Sequence, residues 1–319
     1  PMAKPGSYTL LILSIACIYA LFAASWDLLV GRSGQVSLGH ALFFGIAAYL
    51  SAFLSKFHGL PIWATIPLSM LFCALVAVLV GFPCLRVKGP YLTLVTMAFP
   101  LILYVVLFSL PPPVGGEGGI ALPPRFFPRE FFMERGFSLS EAVYLQTLAE
   151  YYLILVSLFV SSIILYRVAN SKTGIVLVSI LDDESASKAC GINVTKYKLL
   201  AFAVSALFAG LAGGLYAHSF GAQGAVAPEA VLGLTTSFYP VIMTIFGGIG
   251  TIYGPIVGAF TLWTLMEFFR VAAELRALIY ISIIIIFIVK WPTGVAKFVV
   301  EKLNDLAKER EIDERKKKK

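Results

Sequence analysis

Apolar residues occur along this chain in blocks too long and too unbroken for a water-soluble helix, which carries its apolar residues as a stripe on one face. A helix that crosses the hydrocarbon core of a bilayer needs roughly 17–25 mostly apolar residues. Nine stretches approach or meet that length: 8–30, 37–57, 60–83, 91–110, 142–166, 199–220, 230–249, 251–269 and 277–292. The last two are the weakest. Residues 251–269 follow a glycine-rich break (Gly247, Gly248, Gly250, Gly254), and 277–292 is short and relies on Lys290 snorkelling to the interface. One or two of the nine are therefore candidates for re-entrant or interfacial segments. The fold class expected is all-α, a polytopic transmembrane helical bundle of about nine membrane segments with short helices at its cytoplasmic surface.

Two polar stretches between the blocks are long enough to have structure of their own. The stretch 111–141 opens PPPVGGEGG and continues through PPRFFPRE, so it reads as a loop with a short helix after Ser138. The stretch 169–198 reads as short amphipathic helices at the membrane surface, where Asp182 or Asp183 can cap a helix and Gly191 can end it in the left-handed conformation. Further on, in 294–315, Val295, Val299, Leu303 and Leu306 share one face with charges opposite, which predicts an interfacial helix. The domain reading is one membrane domain over 1–293, with a cytoplasmic loop at 169–198 and an external loop at 111–141, followed by an amphipathic basic tail over 294–319.

Composition supports the bilayer as solvent. Of 319 residues, 59% are hydrophobic and 13% charged, with a mean hydropathy of +0.87. That excludes a disordered chain, and a water-soluble globule could not hide so much apolar surface. The net charge of +7 comes largely from the terminal KKKK, which favours membrane lipids over nucleic acid as a partner. The basic residues also set an orientation. With Arg167, Lys172, Lys188, Lys196 and Lys198 in the cytoplasm, helix counting brings Arg32, Arg86, Lys88 and the tail inside as well, 18 of the 25 basic residues, and leaves the N-terminus outside. Cys17, Cys73, Cys84 and Cys190 are scattered and imply neither a disulfide framework nor a metal site. The first apolar run lacks a cleavage site followed by a soluble domain, so it does not read as a removable signal peptide.

The most informative segment is GRSGQVSLGHALFFGIAAY, from Gly31 to Tyr49. Two glycines and two serines stand where one apolar helix stops and the next begins. Ser33 or Ser37 could cap the second helix and leave its N–H groups facing a polar solute, as discontinuous helices do in transporters. An ordinary capped turn accounts for the same residues, and a lone His40 is more often structural. Small residues recur at spacing four, as Ala206, Gly210 and Gly214 and again as Gly250, Gly254 and Gly258. That is a helix-packing signal, and Pro255 would break or kink the second run. There is no GxxxxGK[ST] phosphate loop, no HExxH and no nucleophile elbow. Ser33-Gly34-Gln35 echoes an ATPase signature only faintly. Asp182-Asp183 with Glu184 alone makes a poor magnesium–diphosphate site.

The stretch from Gly31 resembles the start of the permease subunits of branched-chain amino-acid ABC importers, the LivM type. The resemblance continues in LRVKGPYLTLVTMAF (Leu85 to Phe99), in GGEGGI (Gly115 to Ile120), in DDESASKACGINVTKYKLLAF (Asp182 to Phe202), in AGLAGGLYA (Ala209 to Ala217) and in GGIGTIYGPIVGA (Gly247 to Ala259). Blocks in this order over most of the chain are specific where each alone is not. The resemblance implies one half of a translocation pore for branched-chain, hydrophobic amino acids, moved by alternating access. It implies a second permease subunit of the LivH type, two cytoplasmic ABC ATPase subunits and a periplasmic or extracellular substrate-binding protein. No cofactor is then bound by this chain, because ATP and magnesium sit on the ATPases, and the chain is no enzyme.

It also implies roles for residues. A short cytoplasmic helix that seats in the ATPase falls around Asp182, Asp183, Glu184, Ala186 and Gly191. The translocation path is expected at Gly34, Gln35, Ser37, His40, Gly115 and Gly116. Departures from the family pattern are Leu181 and Ile175 where basic residues are usual, Val114 for a threonine, and Asp27 for a neutral polar residue. Asp27 lies near a helix end, which predicts that it reaches water. The resemblance also covers importers of urea or short amides. A stand-alone secondary transporter would have to build its ion site from Asp27, Glu229 and Glu267. A membrane enzyme would need an acidic cluster that the chain lacks.

Overall fold

The computed structural model describes residues 6–85, 87, 89–219 and 224–269, with the isolated positions 282, 285, 290 and 294. Its helices in chain order are α1 (Ser7–Ser33), α2 (His40–Phe57), α3 (Ile62–Cys84), α4 (Pro90–Ser109), α5 (Glu130–Met133), α6 (Leu139–Ala169), α7 (Lys172–Asp182), α8 (Glu184–Ala189), α9 (Val194–His218), α10 (Pro228–Leu232), α11 (Leu234–Gly247) and α12 (Tyr253–Phe268). Two short strands, β1 (Ile120–Ala121) and β2 (Ala225–Val226), pair antiparallel.

Among the described residues seven helices are long and apolar enough to cross a membrane: α1, α2, α3, α4, α6, α9, and α10 with α11 taken together. They stand where the first seven apolar blocks predict them. The eighth block is α12, whose 16 residues reach about 24 Å at 1.5 Å per residue. That is short of a core about 30 Å thick, so seven of the expected nine segments are found among the described residues. The stretch 277–292 and the tail 294–319 lie outside the described residues, isolated positions apart. The expected short helix after Ser138 is instead the start of α6, 31 residues long, with Ser138 and Glu141 forming a reciprocal capping box.

Helix α1 is the axis of the bundle. Every residue from Ser14 to Val30 is buried, and α6, α9, α11 and α12 pack directly on it. Helices α2 and α3 pack on α9, and α2 reaches α1 through Phe44, whose ring lies 4.9 Å from that of Phe22. The outside is apolar too, as lipid requires. Leu71, Leu75 and Leu79 on α3 and Val156, Phe159 and Ile163 on α6 are exposed. Helix α4 buries only Leu92, Thr96 and Pro100, one stripe at spacing four. One end of the bundle gathers the α1–α2 linker, α7, α8 and the α11–α12 turn. The opposite end gathers the 111–138 segment and the β1–β2 pair.

Asp27 does not reach water. It is 0% exposed, and its carboxylate accepts hydrogen bonds from the backbone N–H of Gly250 (2.6 Å) and Ile252 (2.8 Å). The glycine-rich turn between α11 and α12 folds over the end of α1 and supplies the donors that the hydrocarbon withholds. Contact there is close enough that a Cβ on Gly31 would lie 2.4 Å from the Gly250 Cα. The run of Gly250, Gly254 and Gly258 is not one helix: Gly250 lies in the turn before α12, and Pro255 stands in the first turn of α12, where helical N–H groups have no intrahelical acceptor.

Of Ala206, Gly210 and Gly214, the two glycines face α3: Cβ atoms on them would meet Cys73 and Ile66 at 3.2 and 3.1 Å. The tighter joint is one the spacing does not single out. A Cβ on Gly213 would lie 2.0 Å from the Phe44 carbonyl oxygen of α2. Since both partners there are backbone, Gly213→Ala should force α2 and α9 apart and destabilise the protein by about 1–3 kcal/mol. Gly118→Ala, with nothing within 4 Å of the added atom, should leave the unfolding midpoint in detergent unchanged. Asp27→Ala should cost about 2–4 kcal/mol through two lost charge-assisted bonds, and Asp27→Asn less. An Asp27→Ala protein that unfolds at the parent midpoint would show the clasp to be idle.

Candidate functional site

Gly34 ends α1 in the left-handed conformation (φ +69°), its N–H donating to the Val30 carbonyl. The next residues do not leave the bundle. The Trp26 indole donates to the Ser37 carbonyl at 2.6 Å, and Gln35, Ser37 and His40 are all buried. Helix α2 therefore starts inside. His40 Nε2 bonds the Ser205 hydroxyl at 2.5 Å, and that hydroxyl donates to the Ser25 carbonyl at 2.6 Å. Ser25 stands eight residues before Ser33, about 12 Å up the axis of α1 at 1.5 Å per residue. The break between α1 and α2 thus turns back into the bundle, and the His40 imidazole at the start of α2 reaches that depth.

Neither serine caps α2. Ser33 donates to the Leu29 carbonyl, Ser37 accepts from the Gly39 N–H at 3.1 Å, and Gly39 at the N-cap makes no side-chain bond. The linker is held instead by α4, where the Thr96 hydroxyl accepts from the Leu38 N–H and Thr93 donates to the Val36 carbonyl. Because Ser205 spends its proton on Ser25, His40 Nε2 carries the proton that joins them. His40 Nδ1 then has no partner among the described residues.

A cavity of about 700 Å³ opens beside the break, its wall formed in part by Gly34, Gln35, Val36, Thr93, Glu184 and Lys198. Asp183 caps α8, accepting from the N–H groups of Ser185 and Ala186 at 2.8 and 3.0 Å. Gly191 follows at φ +81°, so the cap and stop predicted for this helix are both in place. The Ser187 hydroxyl donates to the Ser179 carbonyl and ties α8 to α7. Asp182, Asp183, Ala186 and Gly191 are exposed. Glu184 instead turns toward the cavity, bonded to Lys188 at 2.7 Å and Lys198 at 2.6 Å. Those two ammonium groups hold its carboxyl at about 2, well below the usual carboxylate range. Leu181, the departure from a basic residue, covers Gly34: a Cβ there would lie 2.6 Å from its Cδ1.

The remaining expected path residues lie elsewhere. Gly115 and Gly116 wrap the far end of α4, where the Gly116 N–H donates to the Leu107 carbonyl. They are not brought together with Gly34, Gln35, Ser37 and His40. Asp27, Glu229 and Glu267 do not converge either. Glu267 accepts from the Tyr8 hydroxyl, and Asp27 is held at the opposite end of α12. Lys198, Ser205 and Thr96 are site residues the sequence reading did not select, as is a second buried chain in which His218 bonds Ser51 (2.8 Å) and donates to the Pro124 carbonyl (2.6 Å). A signal existed for Ser205 and His218, since each interrupts an apolar helix with a polar group.

The family described as branched-chain amino acid transport system / permease component matches residues 8–289. The chain is 31% identical over 299 residues to the high-affinity branched-chain amino acid transport system permease protein LivM of Salmonella typhimurium, covering 89% of this chain and 68% of that protein. It is 30% identical to the protein of the same name from Escherichia coli, over the same shares of each. No solved structure matches it significantly. With a match across nearly all the described helices, the chain belongs to the family of permease components of branched-chain amino acid transport systems, and is a multi-pass membrane protein.

Proposed function

We propose that this chain forms half of the membrane pore of an ATP-driven ABC importer whose solutes are leucine, isoleucine and valine. The observation that carries the reading is the family match over residues 8–289, which takes in both the α1–α2 break and the capped α8. In this reading the α7–α8 end faces the cytoplasm, as the basic residues favour. A second permease of the LivH type completes the pore, two ATPase subunits seat Asp182, Asp183, Ala186 and Gly191 around α8, and a binding protein delivers solute at the β1–β2 end. ATP chemistry belongs to those partners. This chain alternates access, and α8, capped at one end and tied to α7, is rigid enough to serve as the lever.

The site suits the cargo. A zwitterion is costly to carry across hydrocarbon. Helix ends and neutral polar groups at depth lower that barrier without trapping the solute. Asp27 is a poor ion site for a secondary transporter, because its oxygens already accept from two backbone donors. The chain should co-purify in lipid with its partner subunits. Binding-protein-stimulated ATP hydrolysis should then rise several-fold with Leu, Ile or Val and stay basal with urea or acetamide. Stimulation by urea alone would move the assignment to an amide importer. Ion-driven uptake by the isolated chain would remove the ABC reading.

A further inference from the structure

Three segments far apart in sequence meet on one wall of the 700 Å³ cavity. Glu184 opens α8, and its carboxylate bridges Lys188 in the same helix and Lys198 in the second turn of α9. The backbone carbonyl of Lys198 accepts from the side-chain amide of Gln35 at 3.3 Å, so the same residue also holds the α1–α2 break. Leu181, on the last turn of α7, lies over Gly34 in that break. The other side-chain bond of α8, from Ser187, reaches only α7. Among the described residues Glu184–Lys198 is therefore the one side-chain hydrogen bond that joins α8 to an element other than α7.

The geometry points to Lys198 as a positioning residue: the Glu184–Lys198 ion pair, continued through the Lys198 carbonyl to Gln35, carries displacement of α8 into the break between α1 and α2. This rests on the importer reading above. A pull on the first residue of α8 is passed directly to the second turn of α9 across one short side-chain contact, whereas the backbone bonds of the Gly191 turn, from the Gly191 and Ile192 N–H groups to the Lys188 and Ser187 carbonyls, run back to α8 itself. The second turn of α9 moves with it, and the Gln35 amide follows the carbonyl it is bonded to. One side of the cavity wall, Glu184, Lys198 and Gln35, shifts together, because these two bonds join them. A partly exposed ion pair adds little to stability, so cutting it should uncouple the parts without unfolding them.

The test is the number of solute molecules taken up per ATP hydrolysed by the whole complex in proteoliposomes. Lys198→Met cuts the pair and leaves the backbone bond to Gln35 in place. It should assemble and hydrolyse ATP near the parent rate while uptake per ATP falls by about fivefold or more, the lower range of coupling between sites. Glu184→Ala should do the same, and decides the matter if Lys198→Met does not assemble. Lys188→Met removes the intrahelical partner of the same carboxylate and should keep the parent ratio. A parent ratio in Lys198→Met and Glu184→Ala overturns the link. So does an equal fall in Lys188→Met, which would assign the effect to the charge of α8. A parent complex with no ATP-dependent uptake overturns the importer reading itself, an outcome distinct from the other two.

Discussion

A helix with no solvent on any side must find a partner for each of its polar groups among its neighbours, and α1 is such a helix from Ser14 to Val30. Its neighbours are fixed by that need. Asp27 takes the N–H groups of Gly250 and Ile252 and so seats the α11–α12 turn. The Ser25 carbonyl takes the Ser205 hydroxyl and aligns α9, while the Ala23 carbonyl takes the Thr244 hydroxyl of α11. The Trp26 indole holds the Ser37 carbonyl and draws the α1–α2 linker back into the bundle. Five bonds of one helix thus place three elements and the break at which α2 begins.

The same requirement explains what was legible in the sequence. Span positions are readable because hydrocarbon demands length and apolarity, which are local properties. The break at Gly34 is readable because a glycine between Ser33 and Ser37 ends an apolar run. The depth of α2 is not local. It depends on Ser205 and Trp26 reaching residues 37 and 40 from other helices, and the spacing of glycines and serines says nothing of that. Asp27 misleads for a related reason. Counting residues to the helix end predicts access to water, and the count takes no account of a later turn that folds over it. The caps at Asp183 and Ser138 are readable because donor and acceptor are two or three residues apart. Glu184 looks like part of an outward acidic triplet until Lys198, fourteen residues on, turns it inward. Gly115 and Gly116 share the composition of the break without its location.

Fixed charge is arranged by depth. Around His40 the groups at the break are neutral dipoles: hydroxyls, an indole, a carboxamide and backbone amides. The carboxylate near them, Asp27, is spread over two backbone donors of the α11–α12 turn and is fully buried. The paired charges on the cavity wall stand where α8 and α9 begin, at Glu184 and Lys198, with Lys188 beside them. In the proposed importer this order has a consequence for the passing zwitterion. A buried unpaired charge at depth would bind one end of the solute and leave the other exposed to apolar walls, turning a path into a trap. Dipoles that can reorient serve the ammonium and carboxylate alternately. Full charges near the water-facing end can be coupled to motion instead, because an ion pair there can be made and broken at small cost in stability. In the proposed importer, the separation of neutral path from charged lever would let one chain hold its solute weakly while still following its partner's movement.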